Sequence, residues 1–223
     1  MYFPITIIDN FLENFIEIKN YVISQNFKAK DKNTITMPGL ATEPLHILNN
    51  NYFKLSCNKI LSTFFDRFII NSNIQYSCES YFEKIVSYGN QYDNQGWIHR
   101  DDENILSCIF YLQGDLNEGT SFFKKKTIGQ HNTDALFVKE NLYKNEKINP
   151  SFYNEKLKEH NSQFDLTLKV PLIENRIVIF DSSIFHCSDG YGSIEKPRLI
   201  QTSFFRTITG TIGFPIPEIN RIK

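Results

Sequence analysis

The chain has 223 residues, with 24 lysines and arginines against 25 aspartates and glutamates; a length of this order buries about 70% of its unfolded surface in one core, so a single domain over 1–223 is expected. Hydrophobic residues make up 41%, which argues against intrinsic disorder, and the net charge of −1 offers no global field for nucleic acid or an anionic membrane. No run approaches the roughly 20 apolar residues of a membrane helix. The opening Met1-Tyr2-Phe3-Pro4 lacks a basic and then apolar leader. Cys57, Cys78, Cys108 and Cys187 are scattered, which suits a reducing, cytoplasmic compartment better than a disulfide framework or a zinc ribbon.

Ile5-Thr6-Ile7-Ile8 reads as a short strand, with Asp9-Asn10 as a turn or N-cap. Phe11 to Gln25 then carries Phe11, Phe15, Ile18, Tyr21 and Val22 at helical spacing. Residues 27–51 are polar, with Pro38-Gly39 and Pro44, and predict loop with short extended pieces. Phe53 to Ile70 predicts a second amphipathic helix. Strands are then expected at Ile74–Val86, Trp97–His99, Leu106–Leu112, Thr120–Phe123, Leu166–Val170, Ile177–Phe180 and Leu199–Thr207, with a polar, partly helical surface insertion over about 137–163. Helices first and many short strands later predict a mainly β domain with an N-terminal helical layer (α+β), because few helices lie between the strands.

The informative stretch is Gly96-Trp97-Ile98-His99-Arg100-Asp101-Asp102. In extended chain, residues i and i+2 face the same side, so His99 and Asp101 project together as an imidazole and a carboxylate able to share a divalent ion. The third ligand expected is His186, after the apolar run Ile177-Val178-Ile179-Phe180. Two histidines and one carboxylate leave coordination positions open, as in non-haem Fe(II) oxygenases. Further on, Arg198 lies in Lys196-Pro197-Arg198-Leu199-Ile200-Gln201. A dicarboxylate that chelates iron through one end leaves a carboxylate for a guanidinium to grip in bidentate fashion.

The set His99-x-Asp101, His186 and Arg198 resembles the 2-oxoglutarate- and Fe(II)-dependent dioxygenases, with the prolyl-4-hydroxylase-like branch nearest. The supporting motifs are Ile85-Val86-Ser87-Tyr88-Gly89, Phe110-Tyr111-Leu112-Gln113, Glu118-Gly119-Thr120-Ser121-Phe122-Phe123, Phe180 before the distal histidine, and the opening Ile7-Ile8-Asp9-Asn10-Phe11-Leu12. The likeness spans about 5–210. It departs at Ile200, where some branches carry a serine, and at Cys187-Ser188-Asp189-Gly190, where many relatives have Glu-Val. The resemblance implies a double-stranded β-helix (jelly roll, cupin-like), a requirement for Fe(II), 2-oxoglutarate and O₂, and decarboxylation of 2-oxoglutarate to succinate and CO₂ coupled to hydroxylation of a substrate. That substrate stays open between a peptidyl side chain and a small metabolite. Tyr88, Tyr111 and Thr120 are candidates to hydrogen-bond the co-substrate; each tyrosine reads more readily as a core residue with a satisfied hydroxyl.

His46, His131 and His160 lack a carboxylate two residues on and read as surface or structural. Lys124-Lys125-Lys126 reads as a solvated hairpin tip. Halogenation is disfavoured, since Asp101 takes the position a halide needs. The competing readings are a non-catalytic binding or structural module on the same jelly roll, and a metal enzyme with this triad that does not use 2-oxoglutarate. The sequence is silent on oligomeric state.

Overall fold

The structure is a computed structural model, and it describes residues 3–29, 39–65, 74–126 and 149–210. Among these residues the strands are β1 (Thr6–Ile8), β2 (Lys28–Ala29), β3 (Leu40–Ala41), β4 (Ile74–Ile85), β5 (Leu106–Gln113), β6 (Thr120–Lys125), β7 (Phe164–Val170), β8 (Ile177–Asp181), β9 (Phe185–Ser188) and β10 (Arg198–Gly210). The helices are α1 (Phe15–Ile23), α2 (Leu45–Leu48), α3 (Asn50–Leu61) and α4 (Pro150–Asn161). Seven strands form one sheet in the order β1-β8-β5-β10-β4-β3-β2, and β7-β6-β9 form a second. All of these pairings are antiparallel.

The period of two along each strand gives the large sheet two chemically distinct faces. On one face Phe82, Leu106, Cys108, Phe110, Ile177, Ile179, Leu199 and Phe205 pack against Phe15, Val22, Cys57, Ile60 and Leu61 of α1 and α3. On the other, Ile85, Tyr111, Val178, Phe180 and Ile200 meet Phe122 and Val170 of the small sheet. Two antiparallel sheets face to face, with helices on the outer side of the larger one, make the expected double-stranded β-helix. In β10 the odd residues Leu199, Gln201, Ser203 and Phe205 face the helices, and Gln201 donates to Ser56 and accepts from Tyr52, both of α3. A bulge between Phe205 and Thr207 resets the alternation, so Ile208 returns to the helical side.

The N-terminal helix is shorter than its apolar spacing predicts, because another partner claims its first turn. Asn10 adopts a left-handed turn (φ 52), and Asp9 makes a two-point ion pair with Arg176, at 2.5 and 3.0 Å. The Asn175 side chain binds both the N–H and the C=O of Leu12. The second helix begins at Asn50, where Asn49 accepts from the Tyr52 N–H at 3.0 Å. It ends at Leu61, and the short α2 precedes it in a stretch expected to be loop; 66–70 lie outside the described residues.

Two differences bear on the site. Trp97–His99 is not a strand: its one bridge joins His99 to His186. His186 does not simply follow β8; it lies within β9, a strand the sequence reading lacked, which pairs with β6 as Phe122↔His186. Of the insertion, 137–148 lie outside the described residues. The rest forms α4, which buries Tyr153 and Leu157 against Trp97 and so packs on the body of the protein. No helix among the described residues is long and apolar enough to cross a membrane.

Candidate metal centre

His99, Asp101 and His186 meet at one point, with one ligand-type atom from each lying within 4.8 Å of the other two. His99 Nε2 is 3.7 Å from Asp101 Oδ1, and His186 Nε2 is 3.5 Å from Asp101 Oδ2. The backbone sets this convergence. His99 N donates to His186 O at 3.0 Å, and His186 N donates to His99 O at 2.9 Å. Asp101 N is tied to Ser182 O just after β8.

Both imidazoles have their tautomer set. His99 Nδ1 lies 2.8 Å from Trp97 O, and His186 Nδ1 lies 2.9 Å from Ile184 O. A carbonyl can only accept, so each Nδ1 donates, and in the neutral ring it is Nε2 that keeps the lone pair a metal would take. The carboxylate is oriented as well. Ser107 donates to Asp101 Oδ2 at 2.8 Å, which spends its only proton, so Ser182, 2.7 Å from Ser107 Oγ, must donate to it. The rings of Phe180 and Phe122 pack on His186, which is 5% exposed. Two imidazoles anchored through Nδ1, a carboxylate and an oriented outer layer of hydrogen bonds fit a divalent transition metal.

The triad opens on a cavity of about 220 Å³ walled by Ile109, Thr120, Phe180, Arg198, Ile200 and Thr202 among others. Arg198 opens β10 opposite Ile85 and is only 3% exposed, yet among the described residues its Nε and Nη2 have no hydrogen-bond partner. A buried guanidinium without an acceptor is costly. The nearby Tyr111 ring offers partial compensation, 5.9 Å from the guanidinium carbon. The buried Thr202 hydroxyl is likewise unpartnered among the described residues.

Tyr111 is fully buried and donates to Thr120 Oγ1 at 2.8 Å. Burial pushes its phenol upward, with Arg198 opposing. Thr120 is on the cavity wall; Tyr111 lies behind it. Tyr88 does not line the cavity. It is 37% exposed and packs on Tyr92 and Tyr153, so the structure does not bring it to the other site residues. His160 is structural, with Nε2 2.8 Å from Ile98 O. His46 packs against Phe53, and His131 lies outside the described residues.

The sequence reading missed Ser107, Ser182 and Thr202. Two of them carried a signal: a hydroxyl on the inward face of the apolar strand Leu106-Ser107-Cys108-Ile109, and Thr202 on the same strand face as Arg198.

The fold and the cluster define a double-stranded β-helix with a two-histidine, one-carboxylate centre inside it. The chain belongs to the family described as a family of unknown function, DUF6445, whose model matches residues 2–203. No curated protein matches it in sequence. Among solved structures it is similar to the non-haem α-ketoglutarate-dependent epimerase SnoN from nogalamycin biosynthesis, at 9% identity with a TM-score of 0.52, over 90% of this chain and 76% of that one. It is similar also to HygX from Streptomyces hygroscopicus with nickel and 2-oxoglutarate bound, at 9% identity and a TM-score of 0.54, over 93% and 83%. A Pseudomonas putida prolyl-4-hydroxylase matches at 13% identity and a TM-score of 0.45, over 91% of each chain. The SnoN and HygX likenesses show the fold and do not single out the prolyl-4-hydroxylase branch.

Proposed function

We propose that this protein is a non-haem Fe(II)- and 2-oxoglutarate-dependent oxygenase. Arg198 carries the reading: a buried guanidinium with unpartnered Nε and Nη2, on the wall of the cavity into which the triad opens. The names of the SnoN and HygX structures, which share this fold, refer to α-ketoglutarate dependence and to bound nickel and 2-oxoglutarate, and they support it.

In this reading His99 and His186 hold the metal through Nε2, and Asp101 holds it through a carboxylate oxygen whose direction Ser107 sets. Arg198 grips the far carboxylate of 2-oxoglutarate through its planar fork. Thr120, already accepting from Tyr111, has its own proton left to donate to the same group. Ile109, Phe180 and Ile200 make the cavity wall apolar and limit water beside the metal. When bound, iron with 2-oxoglutarate and O₂ supplies the oxidising power: one oxygen atom ends in succinate, alongside CO₂, and the other in the substrate. We infer hydroxylation of a peptidyl side chain or a small metabolite as the outcome.

The test is an anaerobic titration of apo-protein with Fe(II) and then 2-oxoglutarate, monitored by the visible charge-transfer band of the chelate, with His99→Ala as control. A band in the wild type alone is expected. Iron binding with no band removes 2-oxoglutarate from the proposal, and folded protein that binds no iron removes the enzyme reading altogether.

A further inference from the structure

The segment that carries His99 is irregular, and its two edges are satisfied differently. Toward β9 it uses backbone bonds: Gly96 N to Ser188 O, and the reciprocal pair between His99 and His186. Toward the other side no strand among the described residues pairs with it. Side chains of α4 take its place. Asn161 Oδ1 accepts from Ile98 N at 3.1 Å, and Asn161 Nδ2 donates to Gly96 O at 3.0 Å. His160 Nε2 lies 2.8 Å from Ile98 O, so it donates there. The Asn161 amide acts as a surrogate peptide group that completes a ladder the chain lacks.

The Ile98 N–H and the Trp97 C=O are two ends of one planar peptide unit. Asn161 binds the N–H end. The C=O end accepts the Nδ1 proton of His99. The chain of contacts therefore runs from Asn161 Oδ1, through the Trp97–Ile98 peptide, to His99 Nδ1, and leaves Nε2 facing Asp101. A hydrogen bond at the N–H end polarises the amide and strengthens its carbonyl as an acceptor. His99 is the ligand that needs this support: its side chain is 37% exposed, against 15% for Asp101 and 6% for His186.

We propose that Asn161 is a positioning residue for the metal ligand His99: by clamping the Trp97–Ile98 peptide it holds the His99 ring in the orientation and tautomer that a metal requires. This rests on the proposed metal site and adds a function for α4, which the sequence placed in a surface insertion, a solvated excursion or a substrate lid. Outer-layer partners of metal ligands are typically worth about 10–100-fold in affinity.

The experiment uses Co(II), whose visible spectrum reports ligand geometry without turnover, and long-range ¹H–¹⁵N spectra of the metal-free protein, which report the His99 tautomer. Wild type should bind Co(II) and show His99 protonated on Nδ1. Asn161→Ala should weaken Co(II) by about tenfold or more and mix the tautomers. Asn161→Asp keeps the acceptor for Ile98 N–H and should stay closer to wild type in both readouts. Asn154→Ala serves as control, because it cuts two other side-chain bonds of α4, to Asp93 N and Gln91 O, and leaves the clamped peptide alone; it should bind Co(II) like wild type.

Wild-type Co(II) affinity and tautomer in a folded Asn161→Ala protein overturn the inference while the metal site stands. A wild type that binds no Co(II) removes the metal site itself. If Asn161→Ala does not fold, two results still decide: His99 protonated on Nε2 in the metal-free wild type overturns the inference, and so does an Asn161→Asp protein that loses Co(II) no more than Asn154→Ala does while its tautomers mix.

Discussion

Tyr111 gives its phenolic proton to Thr120 across 2.8 Å, and this one bond decides which way the threonine hydroxyl can act. With its oxygen occupied as an acceptor, Thr120 turns donor toward the cavity. Tyr111→Phe releases that constraint. We expect 2-oxoglutarate to bind about 3- to 10-fold more weakly, the scale of one hydrogen bond near 1 kcal/mol, with Fe(II) affinity unchanged. Burial holds the phenol protonated well past neutrality, so the difference from wild type should be flat between about pH 6 and 9. Chelate-band titrations at several pH values measure it; a loss of Fe(II) binding in the variant contradicts the assignment.

Arg198 is buried without an acceptor for two of its nitrogens, so the ligand-free protein carries a cost that 2-oxoglutarate relieves. At a hundredfold excess over its Kd, a ligand adds about 2.7 kcal/mol of stability. Wild type should show that gain as a raised melting temperature. Arg198→Met should melt at or above ligand-free wild type and gain nothing from 2-oxoglutarate. Arg198→Lys should fail to restore the gain, because an ammonium lacks the planar fork. A 2-oxoglutarate shift that persists in Arg198→Met would move the anchor elsewhere.

Ser107→Ala removes the donor that orients Asp101 and leaves Ser182 without its acceptor. The expected result is about a tenfold loss of metal affinity and a fall in stability of about 1–3 kcal/mol. Co(II) titration and chemical unfolding read the two effects separately. Unchanged affinity would mean that Asp101 is oriented by its backbone alone.

A Cβ at Gly192 would sit 2.2 Å from Arg198 N and 2.6 Å from Lys196 O, both backbone atoms that cannot swing aside. Gly192 also accepts from Ser87 N through its carbonyl. Gly192→Ala should therefore displace the start of β10, lowering stability by about 1–3 kcal/mol and weakening 2-oxoglutarate with it. Thermal melts with and without 2-oxoglutarate test both parts, and a neutral substitution would show that the loop relaxes freely.

The Asp9–Arg176 pair gives a pH signature. Hydrogen bonding from Arg176 holds the Asp9 carboxyl below its ordinary 3.8. A depressed folded pKa means that the stabilising contribution is complete above 3.8 and is lost as pH falls through the lower folded value. Asp9→Asn should melt below wild type at pH 6, with the gap closing as the solution is acidified below about 3.8. A gap independent of pH would assign the effect to packing of the Phe11–Leu12 segment.

Apolar runs made β5 and β8 readable, since burial on both faces demands them, and β10 was readable from its aromatic and β-branched residues at Leu199–Thr207. The short β9 was not readable: Phe185-His186-Cys187-Ser188 is four residues between two turns, and its strand character comes from β6 beside it. Trp97–His99 has the composition of a strand but lacks a strand neighbour on one side, where α4 stands instead. The ligand types His99, Asp101 and His186 were visible because few residues bind metals. Ser107 and Ser182 were not, because a serine becomes an orienting group only when folding sets it beside a carboxylate. Tyr88 shows the converse: it neighbours a motif in sequence but lies outside the cavity.

The alternation along β10 bears on how the family can change in length. Its even residues Arg198, Ile200, Thr202 and Phe204 face the cavity, and its odd residues hold the helical layer. Adding or deleting one residue within the strand would swap the two sets, sending the guanidinium among helices and Leu199 toward the metal. Relatives that keep this site should therefore vary β10 in steps of two, or place single-residue changes beyond the bulge at Phe205–Thr207, where the parity has already been reset.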